Sequence, residues 1–554
     1  MLRRPAAFQL VLIFAIGMTL TACVAAANRE QGIGQPCTAV RECRAACNVI
    51  QGCSQDRIPP GVAGATISGG GSPAFPHQVT GDFGSIGGGL GNSAGELGTV
   101  AGGSHNTASA FRAMVGGGNE NVASGPYSTI AGGESNTATY LYATVGGGNT
   151  NTATRRNATV GGGSGNTASF SFATVSGGAN NEASGLESTV GGGNHNRASG
   201  TYATVSGGSG NEAEVLDATV SGGSGNIVTG EEGSIGGGLV NQVTDKYSTV
   251  GGGRGNVAGS PDDDALDAQY STVGGGIENR ASSLAASVCG GASNIASGAY
   301  SAIPGGSLNR AAGSYSVASG RRAQVRTGDD GTWLYADSND AEFFSQASNE
   351  FAVRATGGVR FVTAIDASGE PAAGVRLPSG SGSWESLSDR NAKIPLGPVD
   401  GREVLTQVSR LPLAIFRYKT EAPSIRHIGP MAQDFHAAFA VGEDSRYISS
   451  LDADGVALAA IQGLNQVMGD MGDQVLVQQL QIQMLEDQVN SQRDEIEALS
   501  ARLASLEKMV TEVPVSRSPF SDLPVQWQAI GALALGGIWL GRRAGPDQPS
   551  EMCP

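Results

Sequence analysis

The sequence predicts a mainly β protein in which a parallel β-solenoid fibre is followed by a small α+β domain and a C-terminal coiled coil. Three observations support this prediction. A β-branched residue leads into a Gly-rich corner every 15 residues over most of the first half of the chain. An asparagine stands six residues after each of these apolar anchors. A run of heptads with apolar a positions then occupies part of the C-terminal third.

The repeat is assigned to 81–325, and its period is nearly fixed. The apolar anchors are Val100, Val115, Ile130, Val145, Val160, Val175, Val190, Val205, Val220, Ile235, Val250, Val273, Val288 and Ile303. The matching asparagines are Asn106, Asn121, Asn136, Asn151, Asn166, Asn181, Asn196, Asn211, Asn226, Asn241, Asn256, Asn279, Asn294 and Asn309. A period this short suits one coil of a β-solenoid and is too small for a helical hairpin. The alternative, a disordered Gly/Ser/Asn-rich segment, requires no fixed register.

Each part of the repeat has a structural reason. Val and Ile favour short half-buried strands, and glycine supplies the positive φ that a tight corner needs. We expect the asparagines to adopt the left-handed conformation and to stack from coil to coil in a hydrogen-bonded ladder.

The repeat unit, as in 173–185, and the closing stretch 313–325 resemble the head repeats of YadA-like trimeric autotransporter adhesins. The resemblance implies a left-handed parallel β-roll and a fibrous homotrimer. The C-terminal β-barrel anchor of those adhesins is not seen in the sequence, so self-export across an outer membrane is not expected.

Composition excludes several functional classes. The chain has 554 residues with 86 glycines and 5% aromatic residues, which argues against one large globular core. A net charge of -16 argues against binding to nucleic acid and to anionic membrane surfaces. The Gly triplets are repeat corners and not phosphate-binding loops, so no cofactor is predicted.

Residues 1–27 are predicted to be an export signal, because a basic start at Arg3 and Arg4 precedes an apolar core. Two processing sites fit. Cys23 closes a lipobox-like stretch and would become a lipidated N-terminus, whereas an ordinary signal would be cut after 25–27. In both cases the protein leaves the cytoplasm for the cell surface or a membrane anchor.

A leader at 28–80 contains four closely spaced cysteines: Cys37, Cys43, Cys47 and Cys53. In an exported chain this spacing favours two disulfides. A zinc site is the weaker alternative because no histidine lies near them, and no metal site is predicted.

Two features interrupt the repeat. Cys289 stands where neighbouring units have Gly or Ser, so we expect a small buried residue. The insertion at 259–268 is predicted to project from one coil, and it contains three consecutive aspartates, 262–264. A solvated acidic loop fits them better than a calcium loop, since the ligand spacing and glycine of such a loop are lacking.

Beyond the repeat, 326–385 is predicted to be a connector of short strands, and no pair of carboxylates there suggests a glycosidase. The domain at 386–467 alternates helix and strand. A helix is expected to open near Asp400 with Val404, Leu405 and Val408 on one face. A strand is expected at 415–418, and another helix is expected to open near 454.

The motif most specific for a function is Ser388-Asp389-Arg390-Asn391-Ala392-Lys393. Taken alone, it predicts only a polar turn with a helix cap. Together with the later His427-x-Gly-x-x-Ala-Gln element, it resembles the C-terminal intramolecular chaperone auto-processing domain of phage endosialidases and tailspikes. The resemblance covers roughly 384–510. It implies that the domain trimerises, helps to fold the β-rich fibre ahead of it, and then cuts itself off between Leu387 and Ser388.

The resemblance also implies roles for individual residues. Ser388 would attack the carbonyl carbon of Leu387, and Lys393 would be the general base. A lysine can act in this way only when burial lowers its pKa toward neutrality, so trimer assembly could trigger cleavage. Asp389 and His427 are candidate supports for the oxyanion or for Lys393, although His427 also fits a packed structural role. The reaction would be a single-turnover serine endopeptidase cleavage in cis.

A coiled coil is predicted at 468–512. The a positions are Met468, Val475, Ile482, Val489, Ile496, Leu503 and Val510, and the d positions are Met471, Gln478, Leu485, Gln492, Leu499 and Leu506. β-branched a residues with Leu at d favour dimers, whereas the two glutamines and the family resemblance favour three strands. We predict a trimer.

The apolar segment at 525–541 has an apolar core of 14 residues, from Trp527 to Leu540, followed by two arginines. A membrane span needs about 20 residues, so a sorting signal and a buried or interfacial helix are alternatives to a membrane anchor.

The function predicted from the whole sequence is an exported, self-cleaving trimeric surface fibre that contacts an unidentified surface ligand. The alternatives are the same fibre left uncut, and a phage-type tail fibre that binds a host glycan.

Overall fold

The computed structural model describes residues 47–260, 262, 264 and 266–512. The predicted export segment with Cys23, the cysteines Cys37 and Cys43, and the apolar segment 525–541 lie outside the described residues and stay predictions. The chain falls into two compact units, of which the first ends at Leu387 and the second begins at Ser388.

The first unit is a parallel β-solenoid that extends from Val49 to Arg354, as the repeat predicts. Sheet A comprises the strands Val49–Ile50, Thr66–Ile67, Ser85–Ile86, Thr99–Val100, Met114–Val115, Thr129–Ile130, Thr144–Val145, Thr159–Val160, Thr174–Val175, Thr189–Val190, Thr204–Val205, Thr219–Val220, Ser234–Ile235, Thr249–Val250, Thr272–Val273, Ser287–Val288, Ala302–Ile303, Gly306–Ser307, Val317–Arg321, Trp333–Ala336 and Phe351–Arg354. Sheet B comprises Gln78–Val79, Ser93–Ala94, Thr107–Ala108, Val122–Ala123, Thr137–Ala138, Thr152–Ala153, Thr167–Ala168, Glu182–Ala183, Arg197–Ala198, Glu212–Ala213, Ile227–Val228, Gln242–Val243, Val257–Ala258, Arg280–Ala281, Ile295–Ala296, Arg310–Ala311, Ala323–Val325 and Phe343–Phe344. The left-handed sense of winding stays a prediction.

Each coil contributes one short strand to each sheet, and the two strands fill the core differently. In most strands of sheet A the second residue points inward and is a fully buried Val or Ile, as at Val145 and Ile130. In sheet B the inward residue is usually alanine, as at Ala138 and Ala153. A branched side chain therefore faces a small one across a narrow interior, which leaves little empty space.

A ladder of buried asparagines runs along the solenoid, and this prediction is confirmed. Asn121 shows the pattern: its Nδ2 donates to the carbonyl oxygens of Gly117 at 2.9 Å and Gly133 at 2.8 Å. Its Oδ1 accepts the backbone N–H of Asn136 at 3.0 Å. The side chain thus satisfies the carbonyl oxygen of Gly117 on its own coil and the N–H of Asn136 on the next coil, and it adds a second donor to the carbonyl oxygen of Gly133, which also accepts the N–H of Asn119.

The predicted left-handed conformation of the ladder asparagines is wrong. The left-handed residue is the one before each asparagine, such as Glu120 with φ 57° and Ser135 with φ 56°. The third glycine of each triplet also has a positive φ, 94° at Gly118. The Asn side chain has to point into the core, so the reversal of the chain falls on its outward-facing neighbour.

The solenoid is longer than the repeat period suggested. It extends beyond 81–325 on both sides, because Thr66 pairs with Ser85 at one end and Val317 pairs with Trp333 at the other. The coils at both ends have insertions at their corners. These insertions remove the 15-residue period from the sequence while leaving the strand register intact.

The cysteines and the acidic insertion can be compared with their predictions. Cys289 is exposed, so the prediction of a buried residue is wrong: it follows the inward Val288 and therefore points outward. Cys53 is half-buried and Cys47 is exposed, and the disulfide prediction is untested because the other two cysteines lie outside the described residues. In the insertion, Asp262 is exposed and accepts hydrogen bonds from the hydroxyl of Ser260 and the backbone N–H of Asp264 within the same loop.

The connector ends in an antiparallel sheet of Gly358–Ile365, Pro371–Pro378 and Glu385–Ser386. The second unit contains a 3-10 helix Arg390–Ala392, helix α1 Gly401–Arg410, paired strands Ala414–Phe416 and His427–Gly429, helix α2 Ala432–Phe439 and helix α3 Ser450–Thr511. Asp400 caps α1, as the sequence predicts, by accepting the backbone N–H groups of Arg402 and Glu403.

Helix α3 continues through the segment predicted to form a coiled coil. The apolar a and d residues predicted there are 52% to 74% exposed in the single chain, and oligomerisation stays a prediction. Helix α1 crosses the first part of α3 at Gly401 and Gly463, where the two backbones touch. Within 47–512, no helix has both the length and the apolar composition that a membrane span requires.

Candidate active site

The candidate site begins on a short turn that Asp389 holds in place. Its carboxylate accepts the backbone N–H of Asn391 at 2.9 Å and caps the 3-10 helix that follows. The turn closes with the N–H of Lys393 donating to the carbonyl oxygen of Arg390 at 3.3 Å. A single tight turn of this kind reverses the chain within a few residues.

The turn brings the predicted nucleophile and base together. The Nζ atom of Lys393 donates a hydrogen bond to the Oγ atom of Ser388 at 2.6 Å. This separation lies at the short end of the range in which a base can take a hydroxyl proton directly. Ser388 is also the first residue of the second unit, so the bond between Leu387 and Ser388 joins the two units.

Both side chains are exposed in the single chain, and so is most of the second unit. Among its described residues, only Gly401, Phe435, Ala459, Ala460 and Gly463 are buried. Large apolar side chains close to the turn stand in solvent instead: Ile394 is 86% exposed and Leu396 is 98% exposed. One copy of this unit therefore has almost no hydrophobic core of its own.

His427 lies on the strand pair and is held by a residue that the sequence analysis missed. Its Nε2 atom is 3.1 Å from both carboxylate oxygens of Glu421. The rings of Phe416 and Tyr418 pack beside it, with centroids 5.5 and 5.7 Å away. The backbone N–H of Tyr418 and, to a smaller extent, the His427 ring lower the pKa of the Glu421 carboxyl from its usual value.

The structure therefore groups the predicted residues in two places. Ser388, Asp389 and Lys393 share one turn, whereas His427 is paired with Glu421 on the hairpin. Within the described residues, no hydrogen bond joins His427 to Ser388 or Lys393. Glu421 lies in the loop between the two strands that pair at Phe416 and His427, and no motif in the sequence pointed to it.

Comparison with known proteins adds one finding at this site. Residues 388–441 match the family model Peptidase_S74, chaperone of endosialidase. No curated protein matches the chain. The match begins at Ser388 and contains the turn, α1, the strand pair and α2.

The matched residues 388–441, here called the endosialidase-chaperone segment, occupy the first part of the second unit. It starts at the residue where the first compact unit has ended, and a parallel β-solenoid precedes it. The combination fits a tail-fibre-like protein. The family name implies an autoproteolytic chaperone domain.

Proposed function

We propose that the protein is an exported homotrimeric fibre whose endosialidase-chaperone segment assembles the solenoid and then cuts the chain between Leu387 and Ser388. The observation that carries the proposal is the hydrogen bond of 2.6 Å from Lys393 to Ser388 at the junction of the two units. In the same proposal the fibre stays at the cell surface, and its solenoid contacts a ligand outside the cell.

The chemistry uses only this turn and water. Neutral Lys393 accepts the Ser388 hydroxyl proton while Oγ attacks the carbonyl carbon of Leu387. The amide nitrogen of Ser388 leaves with a proton from Lys393, so the Leu387 acyl group becomes an ester on Oγ. Water then hydrolyses this ester, which releases the carboxylate of Leu387 and a second fragment that begins at Ser388.

In this proposal, trimer assembly converts Lys393 to the neutral form that a general base requires. A lysine in water is protonated and cannot act as a base, whereas a lysine removed from water favours its neutral form. In the proposed trimer, the apolar side chains of Ile394 and Leu396 would be covered by neighbouring copies, and water around Lys393 would be displaced with them. Cleavage would then follow assembly and not precede it.

The exposed apolar seam of α3 supports association of three copies through this helix. Its apolar a and d side chains are more than half exposed in one chain, and burying such a seam is what drives coiled-coil association. An uncut fibre with the same assembly domain is the second candidate, since the exposed seam supports trimerisation whether or not the chain is cut.

Substitution of the base tests the proposal. We expect Lys393→Met to stay whole, with a loss of at least about 100-fold in cleavage rate, because removal of a general base typically costs that much. Lys419→Met, which changes an exposed lysine outside the turn, should be cut like the wild type. Gel electrophoresis of the purified full chains over time gives the rates. Cleavage of Lys393→Met at the wild-type rate would remove the proposed mechanism, and an uncut wild-type trimer would favour the second candidate.

A further inference from the structure

The outward face of sheet A carries no charge at the two outward positions that each coil contributes. Arg321, at the end of the strand Val317–Arg321, is charged and forms an ion pair with Asp340 at 3.1 Å. Between Val49 and Phe351, none of the outward positions at the start of its strands holds a charged residue, in a chain that is 15% charged. Most are threonines, such as Thr159 and Thr189. The next outward position, after the buried Val or Ile, is likewise uncharged and mostly small, as at Gly146 and Ser206.

The outward face of sheet B differs, although it belongs to the same coils. Its outward positions include five charged residues: Glu182, Arg197, Glu212, Arg280 and Arg310. The Nε atom of Arg197 is 3.9 Å from a carboxylate oxygen of Glu182, and both side chains are about half exposed. Charged side chains of this kind are typical of a surface that stays in water.

The C-terminal end of the sheet A face is strongly apolar. The side chains of Trp333, Tyr335 and Phe351 point outward and are 53%, 41% and 63% exposed. The Trp333 and Phe351 rings meet edge to face, with centroids 5.7 Å apart. A cluster of exposed aromatic residues that continues an uncharged sheet face indicates a surface covered by protein.

We propose that the outward face of sheet A, from Val49 to Phe351, is the surface through which the solenoid meets the other copies of this chain. The inference rests on the proposed homotrimer and specifies which face is buried in it. A net charge of -16 makes copies of this chain repel one another, so close contact is favoured where neither copy presents charge.

The regular spacing of the coils is the reason for choosing a second copy as the occupant. Two rows of side chains run side by side along this face, one mostly of threonine and one mostly of glycine, alanine and serine. Each coil adds one residue to each row, so the first row forms a ridge and the second a groove. Parallel strands are spaced about 4.8 Å apart, which makes this face roughly 90 Å long. A second copy has the same spacing, so its rows stay in register along the entire face, whereas a partner with another period would lose register after a few coils.

Cys289 is a native reporter on this face. Its side chain is exposed in the single chain, in the same outward row as Gly146 and Ser206. We expect its reaction with a maleimide, located by peptide mapping in the purified full chain, to be at least tenfold slower than the reaction of the thiol in a Thr167→Cys variant. Thr167 is an outward, half-buried residue of sheet B, so its thiol gives the comparison on the other face.

Charged substitutions give the second measurement. The pair Thr159→Lys with Thr189→Lys should speed labelling of Cys289 toward the rate of the sheet B thiol. The matched pair Thr137→Lys with Thr167→Lys, on sheet B, should leave it slow. Circular dichroism confirms that each variant keeps its strands.

The outcomes separate this inference from the proposed assembly. Sedimentation that shows a monomer would overturn the homotrimer itself. A trimer in which Cys289 reacts as fast as the sheet B thiol would overturn only the assignment of this face, because helix α3 could hold the copies together without it. A trimer with slow Cys289, made fast only by the sheet A lysines, is the expected result.

Discussion

At the scale of single residues, the buried asparagines add hydrogen bonds between coils that the strands of both sheets already join. Each one satisfies a carbonyl oxygen on its own coil and a backbone N–H on the next. Asn151 donates to the carbonyl oxygens of Gly147 at 2.8 Å and Gly163 at 2.9 Å, and it accepts the backbone N–H of Asn166 at 3.0 Å. A solenoid with so few large apolar side chains depends on these bonds to satisfy its corners.

Removing one ladder side chain should therefore be costly. We expect Asn151→Ala to lower the free energy of unfolding by about 2 to 4 kcal/mol, because the carbonyl oxygen of Gly147 and the backbone N–H of Asn166 lose their partner. The matched variant Asn149→Ala changes an exposed asparagine in the same coil and should stay within about 0.5 kcal/mol of the wild type. Urea unfolding followed by circular dichroism compares them. Equal midpoints for the two variants would show that the ladder does not stabilise the solenoid.

At the scale of elements, the carboxylate of Asp337 forms hydrogen bonds between the last two coils of the solenoid. Asp337 accepts hydrogen bonds from the hydroxyl and the backbone N–H of Thr356 at 2.6 and 2.8 Å, and from Arg354 at 2.9 Å. The hydroxyl of Thr356 contributes most to holding the pKa of Asp337 far below its usual range. These bonds tie the segment after the final strand back to the preceding coil.

This carboxylate gives a testable dependence on pH. An aspartate with a depressed pKa in the folded state contributes its stabilisation fully above the unfolded value of about 3.9, and the contribution is lost as the pH falls below that value. The urea midpoint of the wild type should thus fall as the pH is lowered from about 4 to about 2, and it should fall less in Asp337→Asn. Glu187→Gln, at an exposed position, should follow the wild type. A fall of the same size in Asp337→Asn would contradict this assignment.

Helices α1 and α3 of the second unit depend on glycine where they cross. A Cβ atom on Gly463 would lie 2.0 Å from the carbonyl oxygen of Gly401, whereas a Cβ on Gly455 of the same helix would meet nothing within 4 Å. The crossing therefore has no room for a side chain, and the helices would have to separate to accept one.

A pair of alanine variants tests this crossing. We expect Gly463→Ala to destabilise the second unit by about 1 to 3 kcal/mol through overpacking and to reduce cleavage in the full chain. Gly455→Ala should stabilise α3 by up to about 1 kcal/mol, because alanine is the better helix former. Thermal unfolding and gel electrophoresis report the two effects. Matching stability in the two variants would mean that the helices do not touch at Gly463.

At the scale of the whole molecule, patterns with a fixed period were predictable and local deviations were not. The spacing of residues such as Val145 and Asn151 predicted the coils and their ladder. The ends of the solenoid were missed because insertions at the corners remove the period while hydrogen bonding continues. Cys289 was misplaced because its row faces outward in every coil, and Glu421 was missed because its contact with His427 depends on how a loop folds.

The proposed function depends above all on self-cleavage of the chain between Leu387 and Ser388. The most direct measurement is the intact mass of the purified full chain beside a Ser388→Ala variant, with Ser383→Ala as a serine control in the connector. The proposed mechanism predicts two wild-type fragments, one ending at Leu387 and one beginning at Ser388, the same fragments from Ser383→Ala, and a whole chain from Ser388→Ala. A wild-type trimer that stays whole, or a Ser388→Ala chain that is still cut at this bond, would contradict it.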